Sequence, residues 1–242
     1  MRYLSLHHSN DASSSDLQGC MRRSRELKKN DNMKTYLPLP IPVDKPFPEL
    51  NKKEAKNYFD WFLAHLDERA DYLREKISSS LNISEEQLDY SLDSFKPIWK
   101  WFLQVAEISK TPPKILKQLE KSLSGQPRSF ISHMLNQSSK ELSVFTEYVL
   151  RDIGMYIGKT FILNFSSLKW TIKHAPKSYV HVNVPLIVGF VDDNEEYPKP
   201  FYPDMDPIDI ARTPAMNLFD NTQSEADLYN LCMKWVQWIP DK

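Results

Sequence analysis

The carboxylates between positions 192 and 209 come closest to a chemical site in their type and spacing. Oxygen ligands of this kind hold hard cations such as calcium and magnesium. Two histidines, His174 and His181, lie just before them and complete the one conceivable set of transition-metal ligands in the sequence. The spacing does not match an EF-hand loop, and a solvated acidic loop explains the same residues, so we predict no bound metal. The carboxylates are Asp192, Asp193, Glu195, Glu196, Asp204, Asp206 and Asp209.

Other catalytic motifs are missing from the sequence. Its five glycines include no spacing typical of a phosphate-binding loop, and its two cysteines, Cys20 and Cys232, cannot form a zinc cluster. We therefore predict no catalytic residue and no cofactor, and we expect a binding protein rather than an enzyme. The alternative is a metal-dependent hydrolase that uses Asp or Glu and His near a sheet edge.

The second candidate site is a surface. Residues 168–184 alternate between apolar and polar side chains, which predicts strands with one face toward solvent. The outer face would display cations and hydrogen-bonding groups suited to an acidic or polar partner. The residues predicted to bind a partner protein are Lys169, Lys173, Tyr179 and His181.

A long helix with apolar residues on several sides must support these strands. Its pattern begins after Ser138 or Ser139 as N-cap and predicts a buried central helix. Gly154 and Gly158 lie one turn apart on it, and each costs about 1 kcal/mol relative to alanine in a helix interior. We expect a strand or a crossing helix to approach closely at these two glycines.

The strand pattern after the central helix predicts a small antiparallel sheet. Residues 168–172 and 179–184 alternate as a hairpin around Pro176, and the apolar run 185–191 predicts a third, buried strand. The aromatic residues of the loop that follows, including Phe201 and Tyr202, are expected to attach that loop to the body. The predicted fold is α+β, mainly helical, with a three-stranded antiparallel sheet packed on the central helix.

Capping signals place the remaining helices. Asn51 and Glu54 form a capping box that opens a long helix, and Asp206 followed by Pro207 opens another near the C-terminus. His65 lies on the apolar stripe of the first of these helices, where we expect a packed, hydrogen-bonded side chain. The proline-rich segment 37–48 must be extended, and its alternating apolar residues indicate that it lies along its own domain.

Composition bounds the remaining expectations. Residues 33–242 are predicted to form one domain, whereas residues 1–32 are either a disordered segment or precede a true start at Met33. With 31 Lys and Arg against 32 Asp and Glu, the sequence lacks the basic excess typical of nucleic-acid binding. It also lacks an apolar segment long enough to span a membrane, so we expect a cytoplasmic protein with a protein partner and with neither nucleic acid nor membrane.

One part of the sequence resembles a recurring pattern in small uncharacterised bacterial proteins. The pattern leads from Asp152–Gly158 through Asn164 and Phe165 to Leu168–Trp170, a glycine-bearing helix followed by a tryptophan strand. Some of these proteins look like immunity or accessory proteins of toxin systems. The resemblance implies a fold and a binding role that occludes a partner protein, and no catalytic residues come with it.

Overall fold

The computed structural model describes residues 36–193 and 199–240, which form helices around one long central helix with two short β-ribbons. The mainly helical α+β class is therefore confirmed. Short 3₁₀ turns occupy Phe47–Glu49, Glu85–Leu88, Leu92–Ser94 and Met216–Phe219. The strands are β1 (Ile108–Lys110), β2 (Lys140–Leu142), β3 (Lys169–Ile172) and β4 (Pro185–Val188). The helices are α1 (Lys52–Leu81), α2 (Phe95–Val105), α3 (Pro113–Ser122), α4 (Arg128–Gln137), α5 (Val144–Asn164), α6 (Pro207–Ala215) and α7 (Asp227–Val236).

Helix α5 is the buried centre of the fold, as its apolar pattern predicted. Every residue from Val149 to Gly158 is buried, and helices α1 and α6 pack on it. The helix begins later than predicted, because Ser143 is its N-cap and accepts a hydrogen bond from the Thr146 amide at 3.1 Å. Residues 140–142 precede this cap and pair with β1 as strand β2.

The two central glycines are sites of close approach, which confirms the prediction. A Cβ atom added to Gly154 would lie 2.7 Å from the Cα of Ile208 in α6. A Cβ on Gly158 would lie 2.3 Å from the ring of Trp170 in β3. The missing side chains therefore let one helix and one strand contact α5 at the same time.

The predicted three-stranded sheet is wrong. Strand β3 pairs with β4 in an antiparallel two-stranded sheet in which Trp170 lies opposite Ile187, and β1 pairs with β2 in a separate sheet. Residues 179–184, predicted as the middle strand, form turns. Isolated bridges join Ile187 to Met205 and Asp192 to Phe201, and these extend the pairing of the β4 segment on its other side.

Asn183 explains why the predicted middle strand does not form. Its φ of 63° is left-handed, and its side chain is buried rather than on the outer face. The side-chain amide donates hydrogen bonds to the carbonyl oxygens of Phe47 at 2.8 Å and Leu50 at 3.1 Å. Because these bonds connect the turn to a distant part of the chain, the period-two pattern of residues 179–184 does not correspond to a strand.

The start of α1 and the proline-rich segment agree with the predictions. Asn51 and Glu54 form the capping box, and the His65 ring nitrogen Nδ1 lies 2.8 Å from the Trp61 carbonyl oxygen. The segment before α1 is extended against its own domain, where Arg69 donates to the Leu37 carbonyl oxygen at 3.0 Å.

The predictions for residues 1–32 lie outside the described residues. Within the described part, no helix is both long and apolar enough to cross a membrane.

Candidate interaction sites

Three of the four residues predicted to bind a partner, Lys173, Tyr179 and His181, lie close together beside Asp204 and Asp206. We call these five residues the polar corner. The Lys173 amine and the Tyr179 hydroxyl both lie 2.5 Å from Oδ2 of Asp204. Nδ1 of His181 lies 3.7 Å from Oδ2 of Asp206. The corner thus links the turn after β3 to the segment that leads into α6.

The charges of the polar corner shift the pKa of two of its members. Burial lowers the pKa of His181, but the nearby negative charge of Asp206 and of the other surrounding carboxylates outweighs burial and raises the pKa above its usual value of 6.5. Burial and the hydrogen bond to Asp204 raise the pKa of Tyr179. Tyr179 therefore stays a neutral donor, and His181 is charged at a higher pH than an isolated histidine.

Apolar side chains are exposed on the same segments. Val180 is 59% exposed, and Phe201 and Tyr202 are 59% and 67% exposed. The expectation that Phe201 and Tyr202 attach their loop to the body is wrong, because the backbone bridge to Asp192 and the Asp204 contacts hold that segment instead. Single exposed apolar residues are common, but three beside a fixed polar cluster resemble the centre of an interface.

Lys169 lies apart from the polar corner. It is the first residue of β3, lies opposite Val188 and is exposed. The structure therefore brings together three of the predicted binding residues and leaves the fourth at the other end of the strand.

Asp204, Asp206 and the two histidines of the acidic region have structural partners. Asp206 caps α6 by accepting from the Ile208 amide at 2.9 Å, and His174 Nδ1 lies 2.8 Å from the side-chain oxygen of Asn183. Glu195 and Glu196 lie outside the described residues. Across residues 36–193 and 199–240, no group of three or more His, Cys, Asp or Glu side chains could hold a metal ion.

A buried ion pair beneath the proline-rich segment was missed at the sequence level. Arg69 of α1 and Asp152 of α5 lie 2.5 Å apart, with 6% and 0% of their side chains exposed. The Tyr36 hydroxyl donates to the same carboxylate, and Arg151 donates to the Leu39 carbonyl oxygen. Burial and the Asp152 charge raise the pKa of Tyr36 well above its usual value. The sequence did contain a signal for this ion pair, because Arg69 and Asp152 each lie among the apolar residues of their helix.

The chain was compared with known proteins at three levels. Neither models of protein families, nor curated proteins, nor solved structures gave a match.

Proposed function

We propose that this protein is a non-catalytic binding protein that covers part of a partner protein in the cytoplasm, as a bacterial immunity or accessory protein would. The observation that carries the proposal is the exposed apolar set Val180, Phe201 and Tyr202 beside the polar corner. Aromatic side chains surrounded by polar groups supply most of the binding free energy at many protein interfaces.

The polar corner prepares this surface for binding. Asp204 accepts from both Lys173 and Tyr179, which connects the two exposed segments before any partner arrives. An interface that is ordered in advance loses less conformational entropy on binding. Lys169 adds an exposed cation at the start of β3, and 44% of the Lys173 side chain is exposed despite its ion pair with Asp204. These cations favour a partner with acidic or polar groups at the rim of its surface.

The proposal is tested by purifying the tagged full-length protein from its native cells and identifying co-purifying proteins by mass spectrometry. We expect one stoichiometric partner. Tyr202→Ala and Lys169→Glu should each reduce its recovery, and Tyr202→Ala should weaken the measured affinity by about 30-fold if Tyr202 is a hot spot.

Leu163→Ala is the matched control, because Leu163 is 63% exposed on α5 and belongs to a different element. It should leave recovery unchanged. A protein that purifies without a stoichiometric partner, or a partner lost equally with Leu163→Ala and Tyr202→Ala, would contradict the proposal.

A further inference from the structure

Strands β1 and β2 carry a helical hairpin, which we call the helical arm (residues 110–140). The Thr111 amide donates to the Ser139 carbonyl oxygen at 3.0 Å and closes the base of the arm. Helices α3 and α4 follow, and neither contains a buried residue. Phe130 is 40% exposed. The arm therefore adds little to the core, although it includes about an eighth of the chain.

The helical arm is strongly basic in a chain with a net charge of −1. It contains six Lys or Arg residues against one Glu, and no acidic residue occurs between Lys121 and Lys140. None of its six cations forms an ion pair within the described residues. Elsewhere cations are commonly paired, as in Lys96 with Asp93 and Arg212 with Glu147.

The cations of α3 lie on one face. Lys114, Lys117 and Lys121 are three and four positions apart, so they follow one side of the helix. Leu116 and Leu119 lie on the opposite side. Helix α3 therefore presents a ridge of three lysines that is separate from its apolar face.

The base of the arm carries a second group of cations. Lys110 and Lys140 are directly opposite each other in the antiparallel β-ribbon, and both are exposed. Like charges in this position destabilise a sheet. The Lys140 amine donates to the Phe219 carbonyl oxygen at 2.7 Å, whereas Lys110 has no ion-pair partner in the described part of the chain. An anion bound near both amines would relieve the repulsion.

We propose that the helical arm binds a carboxylate-rich segment of a partner protein along Lys110, Lys114, Lys117 and Lys121. This inference rests on the proposed function, because it names the acidic chemistry of the partner. It adds a second contact surface that is separate from the polar corner.

The geometry favours acidic protein over other polyanions. A flat bilayer could not contact the lysine ridge and the apolar face of α3 together, because they lie on opposite sides of the helix. Helix α3 has no aromatic side chain on which bases could stack. The remainder of the chain carries more anions than cations, which repels a long stiff duplex but not a short flexible acidic segment. Two copies of the arm would repel each other.

The test uses the full-length protein and poly-L-glutamate as a defined probe, with binding measured by fluorescence anisotropy. The triple variant Lys114→Glu, Lys117→Glu and Lys121→Glu should weaken binding by about tenfold or more, because three attractions become repulsions. The control reverses three exposed lysines outside the arm, Lys52, Lys53 and Lys100, and should change affinity by about twofold or less, since only the net charge changes.

Lys110→Glu is a second variant that tests the base of the arm. It places a carboxylate opposite Lys140, so it should raise thermal stability while weakening poly-L-glutamate binding. Opposite effects on stability and binding cannot arise from partial unfolding. A fall in both would overturn the role assigned to Lys110.

Four outcomes of the binding measurements would overturn the proposal. They are no binding of poly-L-glutamate, equal loss in the arm and control variants, tighter binding of a DNA duplex of matched charge, and tighter binding of vesicles of phosphatidylcholine and phosphatidylglycerol. Failure of the proposed function can be distinguished from failure of the arm proposal. The proposed function is tested by Tyr202→Ala, which should reduce partner recovery without changing the affinity for poly-L-glutamate. In the recovery experiment, loss of the partner with Tyr202→Ala but not with the triple arm variant would support the surface beside the polar corner and would also reject the arm.

Discussion

Arg69 and Asp152 bring opposite charges into the interface between the two longest helices. A buried charge is tolerated only when a partner offsets its lost hydration. Here the guanidinium of Arg69 and the carboxylate of Asp152 lie 2.5 Å apart, and Arg69 also donates a hydrogen bond to the carbonyl oxygen of Leu37. The pair therefore connects three parts of the chain: α1, α5 and the proline-rich segment.

Removing one member of this pair should be costly. We expect Asp152→Ala to lower the free energy of unfolding by about 3–5 kcal/mol, because Arg69 would remain buried without its counter-charge. Urea denaturation measures the change. The control is Asp60→Ala, which removes an exposed pair with Lys56 and should cost about 1 kcal/mol or less. Similar losses in the two variants would show that the buried pair contributes no more than a surface pair.

The central glycines make a second prediction at the level of single residues. Helix propensity alone would favour alanine by about 1 kcal/mol at each position. The close contacts reverse this sign, and we expect Gly154→Ala and Gly158→Ala to destabilise the protein by about 1–3 kcal/mol. The larger effect should be at Gly154, whose added Cβ meets the backbone of Ile208, whereas Gly158 faces the end of the Trp170 ring.

Thermal or urea unfolding of a double-mutant cycle tests this explanation. Trp170→Leu removes the ring that Gly158→Ala would meet, so the double variant should lose less stability than the sum of the two single variants. The same change combined with Gly154→Ala should be additive. Additivity at both positions would contradict a steric cause.

At the level of elements, the polar corner joins the turn after β3 to the segment before α6. The Asp204 contacts are hydrogen bonds, and His181 adds an interaction that depends on pH. Residues 179–184, which were predicted as the middle strand of the sheet, are therefore held by side-chain contacts instead of regular strand pairing.

The elevated pKa of His181 predicts a pH-dependent stability of this connection. When folding raises the pKa of a histidine, the folded state binds the proton more tightly than the unfolded state. The contribution is therefore complete below about pH 6.5, the unfolded value, and is lost as the pH rises through the higher folded value.

The measurement is the free energy of unfolding from pH 5.5 to 8.5 for the natural protein and for His181→Asn. The advantage of the natural protein over the variant should be larger at the acidic end and should shrink toward pH 8.5. Comparing the two proteins cancels the titration of groups that they share. An advantage that grows with pH would contradict the assigned direction of the pKa shift.

At the level of the whole molecule, fully buried apolar side chains are concentrated around α5, whereas helices α3 and α4 of the helical arm contain none. The free energy of local opening increases with the number of buried apolar contacts, so an element with little burial can open without unfolding the rest of the protein. The division also separates the two proposed surfaces, because the polar corner lies on segments next to the core and the arm projects on its own ribbon.

Hydrogen exchange should reveal this division. We expect peptides from α3 and α4 to exchange at opening free energies well below that of global unfolding, and peptides from α5 to exchange only near the global value. Mass spectrometry of deuterated peptides gives both values in one experiment. Equal protection in α4 and α5 would mean that the arm folds as part of the core.

Local signals in the sequence were sufficient for much of the fold. The capping box at Asn51, the cap at Asp206 and the apolar pattern of α5 are set by neighbouring residues, and the structure confirms each of them. The pair of glycines in α5 predicted a close approach, because the loss of helix stability at each glycine had to be offset by packing against another element. The excess of cations between positions 110 and 140 was also visible in the sequence.

Contacts between distant residues decided the remainder. Alternation in residues 179–184 indicated a strand, but the side chain of Asn183 bonds to carbonyl groups more than 130 positions away and holds a turn instead. The pairing of Lys173 and Tyr179 with Asp204, and of Arg69 with Asp152, likewise joins segments that no local pattern relates. Sequence periodicity and capping therefore determined where most helices form, whereas the choice of partner for each buried polar group depended on the tertiary structure, because hydrogen-bond satisfaction is settled only when the whole chain has packed.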